Sequence, residues 1–228
     1  MSRIHDRYSN VSRLVSLASR RSGRGDGAAK LLVVSKRWPA EAIREVADCG
    51  HRLFGESRVQ EAEEKIPLLP ADLEWHFIGH IQKNKVRKIL TLFDTLHSVD
   101  SLDLARRIDK IAEGLGLRPS VFLQVNIAAE ESKHGFAPEE LRSQIGELLA
   151  MGSLNICGLM AIPPAVADPE ESRPQFRAVR QLQDELASDT GADFPELSMG
   201  MSGDFEVAIE EGSTIVRVGT SIFGERPR

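Results

Sequence analysis

Lys36 closes an apolar run, Leu31-Leu32-Val33-Val34-Ser35-Lys36. The run is short, rich in β-branched residues and bounded by polar and proline signals, which predicts a buried strand. An amine at the end of such a strand gives up part of its water. Desolvation lowers a lysine's pKa, and the neutral amine is the form that condenses with an aldehyde. The plainer reading is that Lys36 snorkels to the rim and is merely solvated. A second chemistry lies near the C-terminus. Ser198-Met199-Gly200-Met201-Ser202-Gly203-Asp204 joins a strand-like run to a helical one, and its small residues let the backbone approach a ligand closely. Ser202 is expected at the start of that helix, where free N–H groups and the dipole favour an anion. Ordinary N-capping by Ser202 or Asp204 would use the same residues. Arg217-Val218-Gly219-Thr220-Ser221-Ile222-Phe223-Gly224 then offers a small-residue turn with hydroxyls and exposed N–H groups. Neither segment is a Walker A, since no G-K-[ST] occurs.

The elements that must position these residues alternate. Strands are predicted over 31–35, 52–55, 75–79, 95–99, 121–125, 156–160, 196–199 and 214–218. Helices are predicted over 39–48, 58–66, 82–93, 102–115, 138–151, 174–188 and 205–211. Pro39 at a helix start and Gly50 beyond its end follow the usual asymmetry. Eight such units imply parallel βαβ packing and a single (β/α)8 TIM-type barrel spanning 1–228. A doubly wound open sheet is the other candidate, but no G-x-G-x-x-G follows the first strand. The Pro163-Pro164…Pro169 stretch reads as a loop, too short for an interdomain linker.

In a barrel, chemistry sits where strands end. Those positions are Lys36, Ser57, His80, Asp100, Asn126, Met160, the 198–202 segment and the 217–220 segment. Strand 8 pairs with strand 1, so Lys36 and the two small-residue turns would be neighbours. The loops after strands 7 and 8 are the usual phosphate site of this fold. A ligand with an aldehyde and a phosphate would span them, and pyridoxal 5′-phosphate is such a molecule.

The bulk composition excludes several classes. The 228 residues are 41% hydrophobic and 28% charged, as in an ordinary globular protein. With 29 basic against 34 acidic residues the net charge is −5, which provides no general pull toward nucleic acid or an anionic membrane. The run Lys83-Asn84-Lys85-Val86-Arg87-Lys88 reads as a solvated helix face. No apolar run approaches a membrane span. Cys49 and Cys157 read as reduced core thiols of a cytoplasmic protein. Residues 1–25 carry Arg3, Arg7, Arg13, Arg20, Arg21 and Arg24 against Asp6 alone, a composition seen in transit peptides. Ile4, Tyr8, Val11, Leu14, Val15 and Ala18 also form one apolar stripe, which predicts a helix packed on the barrel.

Longer motifs carry a resemblance. They are Val33-Val34-Ser35-Lys36, Phe54-Gly55-Glu56-Ser57-Arg58-Val59-Gln60-Glu61 and Trp75-His76-Phe77-Ile78-Gly79-His80-Ile81-Gln82-Lys83-Asn84-Lys85. To these add Val125-Asn126-Ile127 with Ser132-Lys133-His134-Gly135-Phe136, Gly158-Leu159-Met160, and the two C-terminal turns. In these the chain resembles the pyridoxal-phosphate homeostasis proteins, which are similar to the N-terminal barrel of alanine racemase. The resemblance implies a Schiff base between Lys36 and pyridoxal 5′-phosphate. It implies Ser202, Gly219 and Thr220 at the phosphate and Arg217 near the pyridine nitrogen, with Ser57, His80, Ser198 and Met199 completing the cofactor surroundings. Ser57 stands where the family usually has Asn, so a ring contact there is lost or passes through water.

The resemblance also bears on turnover. A pyridoxal enzyme uses the ring as an electron sink. An arginine on the ring nitrogen stays protonated and leaves that nitrogen an acceptor, which weakens the sink. Alanine racemase adds a second base, a tyrosine from a C-terminal β domain. This chain closes shortly after Phe223-Gly224, so that domain is expected to be absent, and its one tyrosine is Tyr8. The expectation is a non-catalytic monomer that keeps the cofactor for vitamin B6 homeostasis and for cofactor-dependent apoenzymes. A racemase that borrows His80 or Asp100 as its base is the alternative. Helix capping by His80, or by Asp100-Ser101, is the structural alternative for those residues. A barrel holding some other phosphorylated ligand is the third reading.

Overall fold

Parallel strands cannot be joined by a tight turn, and the helices between the apolar runs provide the crossovers. A computed structural model describes residues 3–128, 134–164 and 166–225. A first helix, α1 (Arg3–Arg21), is followed by β1 (Lys30–Val34), α2 (Ala40–Asp48), β2 (Leu53–Glu56), α3 (Val59–Lys65), β3 (Glu74–Phe77), α4 (Val86–Leu92), β4 (Thr95–Val99) and α5 (Leu102–Leu115). Then come β5 (Ser120–Val125), α6 (Pro138–Leu149), β6 (Asn155–Ala161), α7 (Arg173–Thr190), β7 (Glu196–Ser198), α8 (Phe205–Glu210), β8 (Ile215–Val218) and α9 (Thr220–Phe223). The strands pair in chain order into a closed barrel. Closure is made by β1 on β8, with Leu31 opposite Val216 and Val33 opposite Val218.

Side chains alternate across each strand and so divide the core in two. Leu32, Phe122, Met160 and Ile215 fill the barrel axis, with Val34, Leu53, Ile78 and Cys157 packed against them. Leu31, Val33, Phe54, Leu96 and Val216 face outward into the larger layer beneath the helices. The barrel is therefore a packed core with one usable mouth, at the C-terminal strand ends.

Expected and observed elements differ in a few places. The helix expected over 82–93 begins as a 3-10 turn, Lys83–Lys85, before α4. Tight i→i+3 bonding of this kind is common at helix starts. Pro39 is extended and serves as the N-cap of α2, one residue before the helix. The one-turn helix α9 lies in a segment expected to be an open turn. Cys49 and Cys157 are both half-buried free thiols. Cys49 is the C-cap of α2 and lies outside the core cluster, whereas Cys157 packs against the axial cluster, where burial pushes its thiol up to about 12.

The N-terminal segment is a docked helix. Val11, Val15 and Ala18 are buried, and the arginines hold the C-terminal helices. Arg21 pairs with Glu206 at 2.7 Å and Glu210 at 2.9 Å, and Arg7 donates to the Phe223 carbonyl at 3.2 Å. Among the described residues no helix is long and apolar enough to cross a membrane.

Candidate functional site

Lys36 sits at the tip of a tight turn. Ser35 is buried, its N–H donating to Gly55 O at 3.0 Å and its hydroxyl to Glu56 Oε1 at 2.8 Å. The next residue, Arg37, has φ 66, a left-handed conformation that is uncommon for a residue with a side chain. Its N–H is held by Glu61 Oε2 at 2.7 Å, and Trp38 N–H returns to Ser35 O at 3.0 Å. Glu56 is buried beneath the turn and accepts from Lys65 Nζ at 3.0 Å. Burial pushes the Glu56 carboxyl up, against the opposing pull of Lys65. This base places Lys36, half-buried, on a cavity of about 250 Å³ that it shares with Trp38, Ser202, Arg217, Gly219 and Thr220. Trp38 stacks on Phe223 at 5.3 Å, which ties the Lys36 turn to α9.

The far side of this cavity is built from the loops after β7 and β8. Ser202 does not sit at the start of α8, as the sequence led us to expect. Asp204 is the N-cap, and its carboxylate accepts from Met201 N at 2.7 Å instead of bonding a helix amide. Ser202 turns to the other loop, where its hydroxyl oxygen accepts from Gly219 N and Ser221 N, each at 3.4 Å. Both contacts are long, so these amides are weakly committed and converge beside Thr220. Gly219 also passes close to β1: a side chain there would put its Cβ 3.0 Å from the Val34 carbonyl oxygen.

Arg217 lies on the cavity wall, with its guanidinium buried in the barrel. Nη1 donates to Ser198 Oγ at 2.6 Å and Nη2 to Ala161 O at 3.0 Å. Desolvation pulls the guanidinium down to about 10, so it remains charged at neutral pH. Ser198 Oγ is 2.7 Å from His97 Nδ1, His97 Nε2 is 2.8 Å from His76 Nδ1, and His76 Nε2 is 2.9 Å from Glu74 Oε1. An arginine can only donate and a carboxylate can only accept, so with both imidazoles in the neutral form each group donates toward Glu74 and both rings carry their proton on Nε2. Burial holds His97 well below the usual histidine value, with His76 and Arg217 pushing the same way. A neutral His97 is the form the chain requires.

The other expected site residues lie elsewhere. Ser198 stands behind Arg217 without lining the cavity. Because Ser198 points inward, Met199 points outward and is fully buried in the layer under the helices. Ser57 and His80 line a separate groove with Gln60 and Gln82. The approach there is tight, since a Cβ on Gly79 would meet the Ser57 carbonyl oxygen at 2.1 Å. His80 also borders a second cavity of about 270 Å³, with Asn126, His134 and Met160, which adjoins the first across Ile78 and Ile162. His80 does not cap a helix. It stacks on His134 at 4.3 Å and sets Nδ1 3.5 Å from Asp100 Oδ2. Ser101 provides the cap of α5, accepting from Leu104 N. Ser132 and Lys133 lie outside the described residues. His76, His97 and Glu56 were missed by sequence reasoning. Period-two alternation in Trp75-His76-Phe77 and Leu96-His97-Ser98 was the available signal, since it points both histidines to the barrel axis.

A closed parallel barrel with a lysine after β1 and an amide-rich cradle after β7 and β8 matches the family model for the alanine racemase N-terminal domain, over residues 10–227. A pyridoxal phosphate homeostasis protein of Aquifex aeolicus is 46% identical over 222 residues, covering 97% of each chain. PipY of Synechococcus elongatus, solved with PLP bound, is 41% identical at a TM-score of 0.81, covering 92% of this chain and 99% of that one. The chain therefore belongs to the pyridoxal phosphate homeostasis protein family, within that alanine racemase-like class. Clostridium difficile alanine racemase shares the fold, at 18% identity and a TM-score of 0.74, and the match covers 57% of its length.

Proposed function

We propose that this chain binds pyridoxal 5′-phosphate at the barrel mouth, as part of intracellular vitamin B6 homeostasis, and holds it without turning over a substrate. The carrying observation is that Lys36, Arg217, Ser202, Gly219 and Thr220 line one cavity. The group fits this donor set. Lys36 is the amine for its aldehyde, the Gly219 and Ser221 amides with the Ser202 and Thr220 hydroxyls suit its phosphate, and Arg217 offers the ring nitrogen a donor. When bound, the cofactor would supply an aldehyde with which the Lys36 amine could condense. Glu56 and Ser35 brace the lysine turn. The Ser198–His97–His76–Glu74 chain orients Arg217, and Trp38 closes one wall. Ser57, His80 and Met199 fall outside direct contact on this reading.

Several observations support retention without catalysis. The only tyrosine, Tyr8, bonds His51 Nδ1 at 3.3 Å, at the turn entering β2 and so at the opposite end of the strands from the cavity. Burial raises its phenol, with Cys49 adding to the shift. Arg217 stays charged, so a ring nitrogen that accepts from it is left unprotonated and is a weaker electron sink. We further read the chain as a cytoplasmic monomer that supplies cofactor-dependent apoenzymes. The second reading, an amino-acid racemase, is favoured by one observation: His80 borders the cavity adjoining that of Lys36, with Asp100 3.5 Å behind it.

Borohydride reduction of the cofactor-loaded protein followed by mass analysis tests the first reading. One cofactor is expected on Lys36, and none in Lys36→Ala. Labelling at another lysine would overturn the assignment. Incubation with alanine in deuterated water separates the readings: solvent deuterium entering at Cα means racemase chemistry, and its absence supports a carrier.

A further inference from the structure

Among the described residues, one cluster of side chains outside the Lys36 cavity has the composition of a metal site. His80, Asp100 and His134 follow β3, β4 and β5, and their ligand atoms all lie within 4.8 Å of one another. Asp100 is the anchor, with its side chain 11% exposed against 51% for His80 and 66% for His134. Its Oδ1 accepts from Ser101 Oγ at 3.2 Å, which turns Oδ2 toward both imidazoles. His80 Nδ1 lies 3.5 Å from Oδ2 and His134 Nδ1 lies 3.8 Å from the same oxygen. Two ligands on one tetrahedral zinc, at about 2.0–2.1 Å each, stand about 3.3–3.5 Å apart. The observed spacings come close to that, and modest rotation of two exposed imidazoles closes the rest.

The backbone at two of the ligands is held by hydrogen bonds. Phe136 N donates to Gln124 O at 2.8 Å and accepts Asn126 N at 3.0 Å through its carbonyl, while the Gln124 amide holds the His134 carbonyl at 2.8 Å. Ser98 Oγ donates to the Gly79 carbonyl, which pins the residue before His80. Three side chains from the loops after three strands are thus presented to one point, with the backbone at His134 and before His80 held by hydrogen bonds. Rigid presentation of this kind is what a metal site needs.

We propose that His80, Asp100 and His134 form a binding site for a divalent transition metal of the zinc class, beside the cofactor cavity. Two imidazoles and a carboxylate select such an ion over magnesium or calcium, which prefer all-oxygen shells. Three protein ligands leave a coordination position open, as in zinc sites that bind water or a small ligand. His80 and His134 line the second cavity, so that position is accessible from the mouth. The site does not rest on the cofactor reading, because none of its ligands contacts the Lys36 cavity.

Calorimetric titration of the full chain with Zn2+ alone, after removal of any affinity tag, tests the proposal. One equivalent is expected to bind, with affinity at least 10-fold weaker in each of His80→Ala, Asp100→Asn and His134→Gln. His134 is two-thirds exposed, so its replacement leaves the core intact, and an unchanged circular dichroism melt confirms this. Lys36→Ala and Cys49→Ser are expected to bind Zn2+ as the parent does. Saturable binding that survives the His80→Ala/His134→Gln double variant would overturn the site, as would loss of binding in Cys49→Ser, or no saturable binding in the parent chain.

Discussion

On the proposed reading, the Thr220 hydroxyl is one of the groups that hold the phosphate. It lines the Lys36 cavity, and its neighbours Gly219 and Ser221 present amides weakly engaged by Ser202. A hydrogen bond to a charged group contributes about 1.5–3 kcal/mol. Thr220→Ala is therefore expected to weaken cofactor retention roughly 10- to 100-fold, while borohydride still traps the cofactor on Lys36. Equilibrium dialysis of the parent and variant against free cofactor reads the difference, and equal retention would remove Thr220 from the phosphate end. Arg217 acts differently, because it is buried, charged and tied to the Ser198–His97–His76 chain. It belongs to the barrel interior as much as to the cavity.

At the scale of elements, α1 is a working part of the barrel wall. Its apolar stripe seats Val11, Val15 and Ala18 against the helices that carry the loops after β7 and β8. Ala18 is fully buried, so a larger side chain has no room without displacing α1. Overpacking of a tight interior costs about 1–3 kcal/mol, and Ala18→Leu is expected to lower stability by about that amount in urea unfolding. A variant with an unchanged midpoint would mean that α1 is only loosely attached. The Arg21 pairs with Glu206 and Glu210 are exposed, and each contributes about 0.2–1 kcal/mol at most. Apolar packing is the larger part of the docking.

For the whole molecule, buried histidines set the acid limit. Burial is the main cause that lowers both His97 and His51. Each stays neutral in the folded chain at a pH where the unfolded chain takes up a proton. The unfolded state then binds more protons, so stability falls as pH falls. This contribution is fully present above the unfolded value of about 6.5 and is lost below it, at up to about 1.4 kcal/mol per pH unit for each histidine. Urea unfolding at pH 7.5 and 5.5 is expected to show the loss, with a smaller loss in His51→Phe. Equal stability at both pH values would contradict buried, neutral histidines.

Much of this architecture was legible in the chain itself. Strand-like runs broken by helical periods led to eight βα units, because period and punctuation are local properties. Lys36 and the two small-residue turns were visible for the same reason, as each departs from the pattern around it. Pairing of β1 with β8 followed from closure and brought them together. Only the tertiary structure decided the rest. Ser202 faces the loop after β8 and does not begin α8, because the carboxylate of Asp204 already occupies the Met201 amide. Met199 turns away from the cavity because strand alternation sends Ser198 inward. The chain from Glu74 to Arg217, and the meeting of His80, Asp100 and His134, join residues from separate strands. Sequence determines which side chains alternate inward and where each strand stops, whereas distances between strands exist only once the barrel has closed.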